Sequence, residues 1–113
     1  MSRERRLYLE DILEAIARIR EYTAAMKYDV FARDRKTQDA VVRNLEIIGA
    51  AAGRLPDALK NRAPDIEWRK IVALRNVLAH EYFGISLPMI WDVVQNKLAS
   101  LGTACGRLLG NQG

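Results

Sequence analysis

The sequence predicts an all-α fold, an antiparallel four-helix bundle with a short extra helical segment, in a single domain over residues 1–113. Three observations carry this. Apolar residues recur every three or four positions almost throughout, with charged residues between them. A weakly periodic stretch at residues 26–35, the prolines at 56 and 64, and Gly84 with Pro88 cut that pattern into four stretches with short connections, which for helices implies antiparallel neighbours. No alternating strand pattern, glycine-rich phosphate loop, internal repeat or low-complexity segment competes with it.

Leu9, Ile12, Leu13, Ile16 and Ile19 define the first helix, with Glu10, Glu14, Arg18 and Glu21 on its polar side. The periodic stretch predicts about five turns. Residues 26–35 (MKYDVFARDR) have weaker periodicity and mixed charge, which fits a turn and a short irregular or helical entry. Asp34 or Thr37 is positioned to cap the second helix, with Asp39 close to its N-terminus. Val41, Val42, Leu45, Ile48 and Ala52 form its apolar face and Ile47 its flank. The run Gly49-Ala50-Ala51-Ala52-Gly53 has almost no side-chain bulk, so another helix can approach there. Glycine inside a helix costs about 1 kcal/mol relative to alanine, which gives Gly49 a packing reason.

Pro56 and Pro64 bracket a polar segment, read as a loop with room for one helical turn. A third helix is predicted from about Ile66 to Tyr82, with Ile71, Leu74, Val77 and Leu78 facing inward and Gly84 just past its end. Ser86 caps a fourth helix with Pro88 in its first turn. Its apolar positions are Ile90, Val94, Leu98, Leu101, Cys105 and Leu108.

Composition narrows the chemistry. Half of the 113 residues are hydrophobic and 28% charged, a globular balance. Lysine and arginine outnumber aspartate and glutamate by 18 to 14, for a net charge of +4, which is compatible with an anionic partner such as RNA without requiring one. One cysteine and one histidine leave too few ligands for a zinc site within one chain, so neither metal nor cofactor is expected. Cys105, in an apolar repeat, reads as a buried inert thiol. The N-terminus is charged but has no long apolar run behind it, so neither a secretory signal nor a membrane span is expected, and the cytoplasm is the default location.

The only histidine lies in RNVLAHEY, residues 75–82. On a helix, Asn76 and His80 share a face at a spacing of four, and Arg75 and Tyr82 share one at seven. Arg75 and His80 stand five apart, about 140° around the axis, an awkward spacing for direct contact. If they act together, one route is to pair two copies of this helix across a two-fold axis, which gathers two arginines and two histidines in one cleft. Histidine can take and return a proton near neutral pH, and arginine grips phosphate oxygens with a planar fork. Together they suit RNA cleavage through the ribose 2′-hydroxyl. A structural reading stands beside this one: His80 as a partner for the helix dipole, Arg75 as a surface charge and Tyr82 as a half-buried aromatic.

In its R-x4-H-x-Y arrangement of Arg75, His80 and Tyr82, the sequence resembles the HepT-like toxins of the HEPN superfamily. DRKTQDAVVRNLEIIG, WRKIVALRNVLAHEYFGI and IWDVVQNKL are similar to family sequence, so the resemblance spans residues 34–98. It implies an all-α homodimer with metal-independent endoribonuclease activity on RNA, Arg75 and His80 as catalytic residues, and Asn76 helping to position the site. It also implies a partner, the minimal nucleotidyltransferase antitoxin MntA, which adds AMP to the motif tyrosine, here Tyr82. Added anionic bulk two residues from His80 would obstruct RNA entry. The alternative is a non-catalytic helical module that binds a nucleotide or a nucleotidyltransferase, with Arg75 as an anion contact. One departure stands out: family members often read I-G-E-A where this chain has Ile48-Gly49-Ala50-Ala51, with Asp39 and Glu46 remaining on the same helix. Asp92 resembles a family residue and is expected to make an interhelix hydrogen bond. Trp68, Phe83 and Trp91 are read as core or interface anchors rather than base-stacking platforms.

Overall fold

A computed structural model describes residues 1–80 and 86–110. Among these residues the chain forms helices and no strand. Helix α1 covers Arg3–Thr23, α2 Tyr28–Arg33, α3 Arg35–Arg54, α4 Asp57–Lys60, α5 Trp68–His80, α6 Leu87–Asn96 and α7 Leu98–Gly110. α1 is longer than its apolar periodicity indicates, because the Ser2 hydroxyl accepts the Arg5 N–H at 3.2 Å and starts it ahead of Leu9.

Antiparallel packing follows from which residues meet. The Arg54 guanidinium, at the end of α3, lies 5.9 Å from the ring centre of Tyr8, near the start of α1. Gly49 of α3 faces Arg75 of α5, whereas Gly53, one turn later, faces Val72, one turn earlier. α1 also packs on α7, and α2 fills the corner between α3 and α6. There the Phe31 ring rests 4.9 Å from Trp91, with Tyr28 edge-on to it at 6.3 Å.

The core is built from the predicted stripes. Leu9, Ile12, Ile16 and Ile19 of α1, Val41, Leu45, Ile48 and Ala52 of α3, and Ile90, Val94, Leu98, Leu101, Cys105 and Leu108 of α6 and α7 are all buried. Burial pushes the Cys105 thiol up to about 12, so it stays protonated at neutral pH. Asp34 is the cap of α3: its carboxylate accepts the Thr37 N–H at 3.0 Å and the Thr37 hydroxyl at 2.7 Å. The polar segment between Pro56 and Pro64 contains one helical turn, α4.

Three expectations are corrected. The fourth predicted helix is broken at Lys97, whose φ of −115° departs from helical geometry. Bonds from the Lys97 N–H to Val93 and from the Leu101 N–H to Lys97 bridge the break, so the path bends rather than stops. One apolar stripe thereby serves α2 through α6 and α1 through α7. Second, of the α5 residues predicted to face inward only Leu78 is buried; Ile71 and Leu74 are half-buried and Val77 is 37% exposed. α5 leans on α3 along one side, and its other apolar side lines an open groove. Third, Asp92 bonds within its own helix, accepting from the Asn96 amide at 2.6 Å.

Candidate functional site

Arg75 is rooted where α3 and α5 approach most closely. An ideal β-carbon on Gly49 would stand 2.2 Å from Arg75 Cβ, 3.0 Å from Arg75 Cγ and 3.1 Å from the Ile71 carbonyl oxygen. Only glycine leaves room for the base of the arginine. The tip of Arg75 is exposed, and its Nη1 donates to Asn76 Oδ1 at 3.3 Å. The polar residue after the arginine thus meets the guanidinium at the outer surface of α5.

His80 is the last described residue of α5 and is exposed. No hydrogen bond joins it to Arg75 among the described residues. Both groups thus reach solvent from one helix without touching, as their spacing of five residues indicates. Tyr82, Phe83 and Gly84, on which the modification, aromatic and helix-end expectations fall, lie outside the described residues.

A cleft of about 300 Å³ lies on the α1–α3 side of Arg75, lined in part by Tyr8, Asp11, Arg43, Glu46 and Ala50. Of the two carboxylates retained on α3, Glu46 is the one beside Arg75. Asp39 instead lies 3.9 Å from Arg35, at the start of the helix. Asp11, contributed by α1, is a second acidic neighbour that the sequence did not reveal. It sits in an ordinary polar stretch of an amphipathic helix, and only the antiparallel packing of α1 on α3 brings it here.

On the opposite side of α5 an apolar groove of about 480 Å³ opens toward α6 and α7, lined by Ile71, Leu74, Val77, Met89 and Val93 among others. Val77 and Met89 are each 37% exposed. The aromatic residues act as anchors: Trp68 is buried with its indole N–H donating to the Ala63 carbonyl at 3.1 Å, and Trp91 stacks in the α2–α6 corner. Among the described residues no cluster of three or more His, Cys, Asp or Glu side chains could hold a metal ion, and no helix is long and apolar enough to cross a membrane.

Comparison with known proteins finds relatives of this chain. A family model described as "Ribonuclease HepT-like" matches residues 12–108. The "Probable ribonuclease HepT" of Thermococcus cleftensis is 43% identical over 101 residues, covering 89% of this chain and 92% of the relative. "Putative RNase MJ0127" of Methanocaldococcus jannaschii is 45% identical over 93 residues, covering 82% of this chain and 77% of the relative. No solved structure matches.

Proposed function

Because the chain belongs to the HepT-like ribonuclease family, we propose that it is a metal-independent endoribonuclease toxin acting at a cleft between two protomers. The observation that carries this reading is the seating of Arg75: packed at its base against Gly49 and bonded at its tip to Asn76, on the helix whose last described residue is an exposed His80. An arginine packed at one end and bonded at the other is pre-organised for a phosphate, and so loses less freedom on binding it.

In this mechanism the neutral imidazole of one His80 removes the proton from a ribose 2′-hydroxyl. The resulting oxyanion attacks the adjacent phosphorus, and the bond to the 5′-oxygen of the next nucleotide breaks. The imidazolium so formed returns its proton to that leaving oxygen. Arg75 neutralises the charge that builds on the non-bridging phosphate oxygens. A second copy resolves the 140° separation of Arg75 and His80, since the arginine of one protomer can meet the histidine of the other. The apolar groove beside α5 supports a dimer: Val77 and Met89 are half-exposed hydrophobes that a second copy would cover.

Control by a nucleotidyltransferase antitoxin is the second part of the proposal. Tyr82 follows His80 by two residues, and AMP on its hydroxyl would set a negative charge near the phosphate site. Intact mass after co-expression with the transferase tests it: AMP addition that disappears in Tyr82→Phe is expected, and addition that persists in that variant assigns the modification elsewhere.

The central test is cleavage of single-stranded RNA by the purified protein with chelator present. Wild type is expected to cut, and His80→Ala and Arg75→Ala to lose activity by about 10²-fold or more. A wild type that leaves RNA intact, or a His80→Ala variant that cuts as well, overturns the reading.

A further inference from the structure

Beyond Asn76, toward the start of α5, a groove of about 860 Å³ runs from the end of α3 at Gly53 to the α4 turn. We propose that this groove is the track for the RNA strand flanking the scissile phosphate, with Arg69 and Lys60 binding backbone phosphates away from the reacting centre. The proposal rests on the ribonuclease reading above and extends it from the point of cleavage to the substrate on one side of it.

Helix phase supplies the first argument. Arg69, Ala73, Asn76 and His80 follow at intervals of four, three and four residues, so they form one stripe along α5. Arg69, Ala73 and Asn76 line the groove, and the same stripe leads on to His80. Eleven residues of helix rise about 16 Å from Arg69 to His80, enough for a few nucleotides of single strand. Asn76, which meets the tip of Arg75, also lines the groove, so the groove and the phosphate-binding group are contiguous.

Charge supplies the second. Lys60, Arg69 and Lys70 line the groove, with Asp57 and Glu67 as its acidic residues. Glu67 is already engaged, 2.6 Å from Lys70 and 3.7 Å from Lys97. Those two lysines hold its carboxyl below the usual carboxylate range. Arg69 and Lys60, in contrast, have no ion-pair partner among the described residues, and Arg69 is exposed on the surface of α5. With Glu67 engaged, Lys60 and Arg69 stand against the one remaining carboxylate, Asp57, so three cations and two anions leave the groove a net positive charge for an anionic strand.

The third argument concerns the kind of recognition. Trp68 borders the groove, but its ring is buried and its N–H committed to Ala63, so it gives no platform for stacking a base. The groove offers phosphate contacts and small amides, Asn61 and Asn76, which favour backbone tracking over sequence reading. Binding through phosphates is steeply salt-dependent, and each lost single-strand contact lowers the slope of log K against log salt by about 0.7.

The experiment measures both binding and cleavage by Lys60→Ala/Arg69→Ala, with Lys36→Ala/Arg107→Ala as a control that removes the same charge outside the groove. The binding probe is a fluorescent single-stranded 2′-O-methyl RNA of about twenty nucleotides, which lacks the nucleophilic hydroxyl and is not cut. The groove variant is expected to bind about tenfold more weakly, with a salt slope smaller by about 1.4, and to lose RNA cleavage mainly through KM. The control variant is expected to stay close to wild type. Equal losses in the two double variants would reduce the effect to net charge and overturn the groove proposal. Unchanged binding and cleavage in the groove variant, beside an active wild type, would overturn the groove alone. Groove-dependent RNA binding by a wild type that cuts nothing would uphold the groove and overturn the nuclease reading. A wild type that neither binds nor cuts RNA would overturn both.

Discussion

At Gly49 the cost of one methyl group can be set against its benefit. Alanine is favoured over glycine inside a helix by about 1 kcal/mol, so a glycine-to-alanine change with room for the new carbon should stabilise. Gly106 has that room, with nothing beyond its chain neighbours and its own helix backbone within 4 Å of an added Cβ. Gly49 does not, since Arg75 Cβ stands 2.2 Å away and the Ile71 carbonyl oxygen 3.1 Å away. Backbone and the base of a side chain cannot swing aside as the far end of a lysine could. Gly49→Ala is therefore expected to lose about 1–3 kcal/mol of stability as α5 is pushed off α3. Gly106→Ala is expected to gain up to about 1 kcal/mol. Urea denaturation of the two variants beside wild type checks both signs, and equal effects would show that the α3–α5 approach is not tight. The close approach was legible from Gly49 through Gly53, a stretch without bulk. That its partner would be the base of Arg75 was not, because sequence gives the smooth face of one helix and not the residue that comes to rest on it.

Element boundaries were legible at two side-chain caps, Ser86 and Asp34, but not at Ser2, which lies ahead of the apolar repeat it introduces. Ser86 accepts the Met89 N–H at 3.3 Å to start α6, and Asp34 starts α3 through Thr37. The break at Lys97 carries no proline, glycine or capping residue, which is why periodicity ran through it from Ile90 to Leu108. At Asp34 the bonds from Thr37, backbone first and hydroxyl second, hold the carboxyl below its ordinary value of 3.8. A carboxyl with a lowered folded pKa contributes stability that is present above its unfolded pKa and drains away as pH falls through the folded one. Asp34→Ala should therefore lower Tm near neutral pH, with the deficit shrinking as pH falls below 3.8. Thermal melts of wild type and Asp34→Ala across that range measure the difference. A deficit independent of pH would place the cap's contribution outside the ionised carboxylate.

Across the whole molecule, what the sequence could not distinguish was a core from an interface. Ile71, Leu74, Val77 and Leu78 have the same helical period, yet Leu78 is 1% exposed and Val77 37%. Periodicity marks a side chain as apolar-facing and is silent on whether the facing surface belongs to the same chain. In the dimer proposed above, the open side of α5 is covered by a second copy, and Val77→Glu is expected to convert a species of twice the 12.8 kDa chain mass into monomer, read by light scattering. Complementation makes the stricter test of a shared site. Arg75→Ala keeps its histidine and His80→Ala keeps its arginine, so neither homodimer has a complete pair. If the two groups work across the interface, a heterodimer of the variants rebuilds one pair in trans, Arg75 from one protomer and His80 from its partner. After unfolding and refolding together, half of the dimers are mixed and each carries one of two possible pairs, so about a quarter of wild-type cleavage should return. If the groups instead work within one chain, the mixture has no intact pair in any combination and stays as inactive as either variant alone.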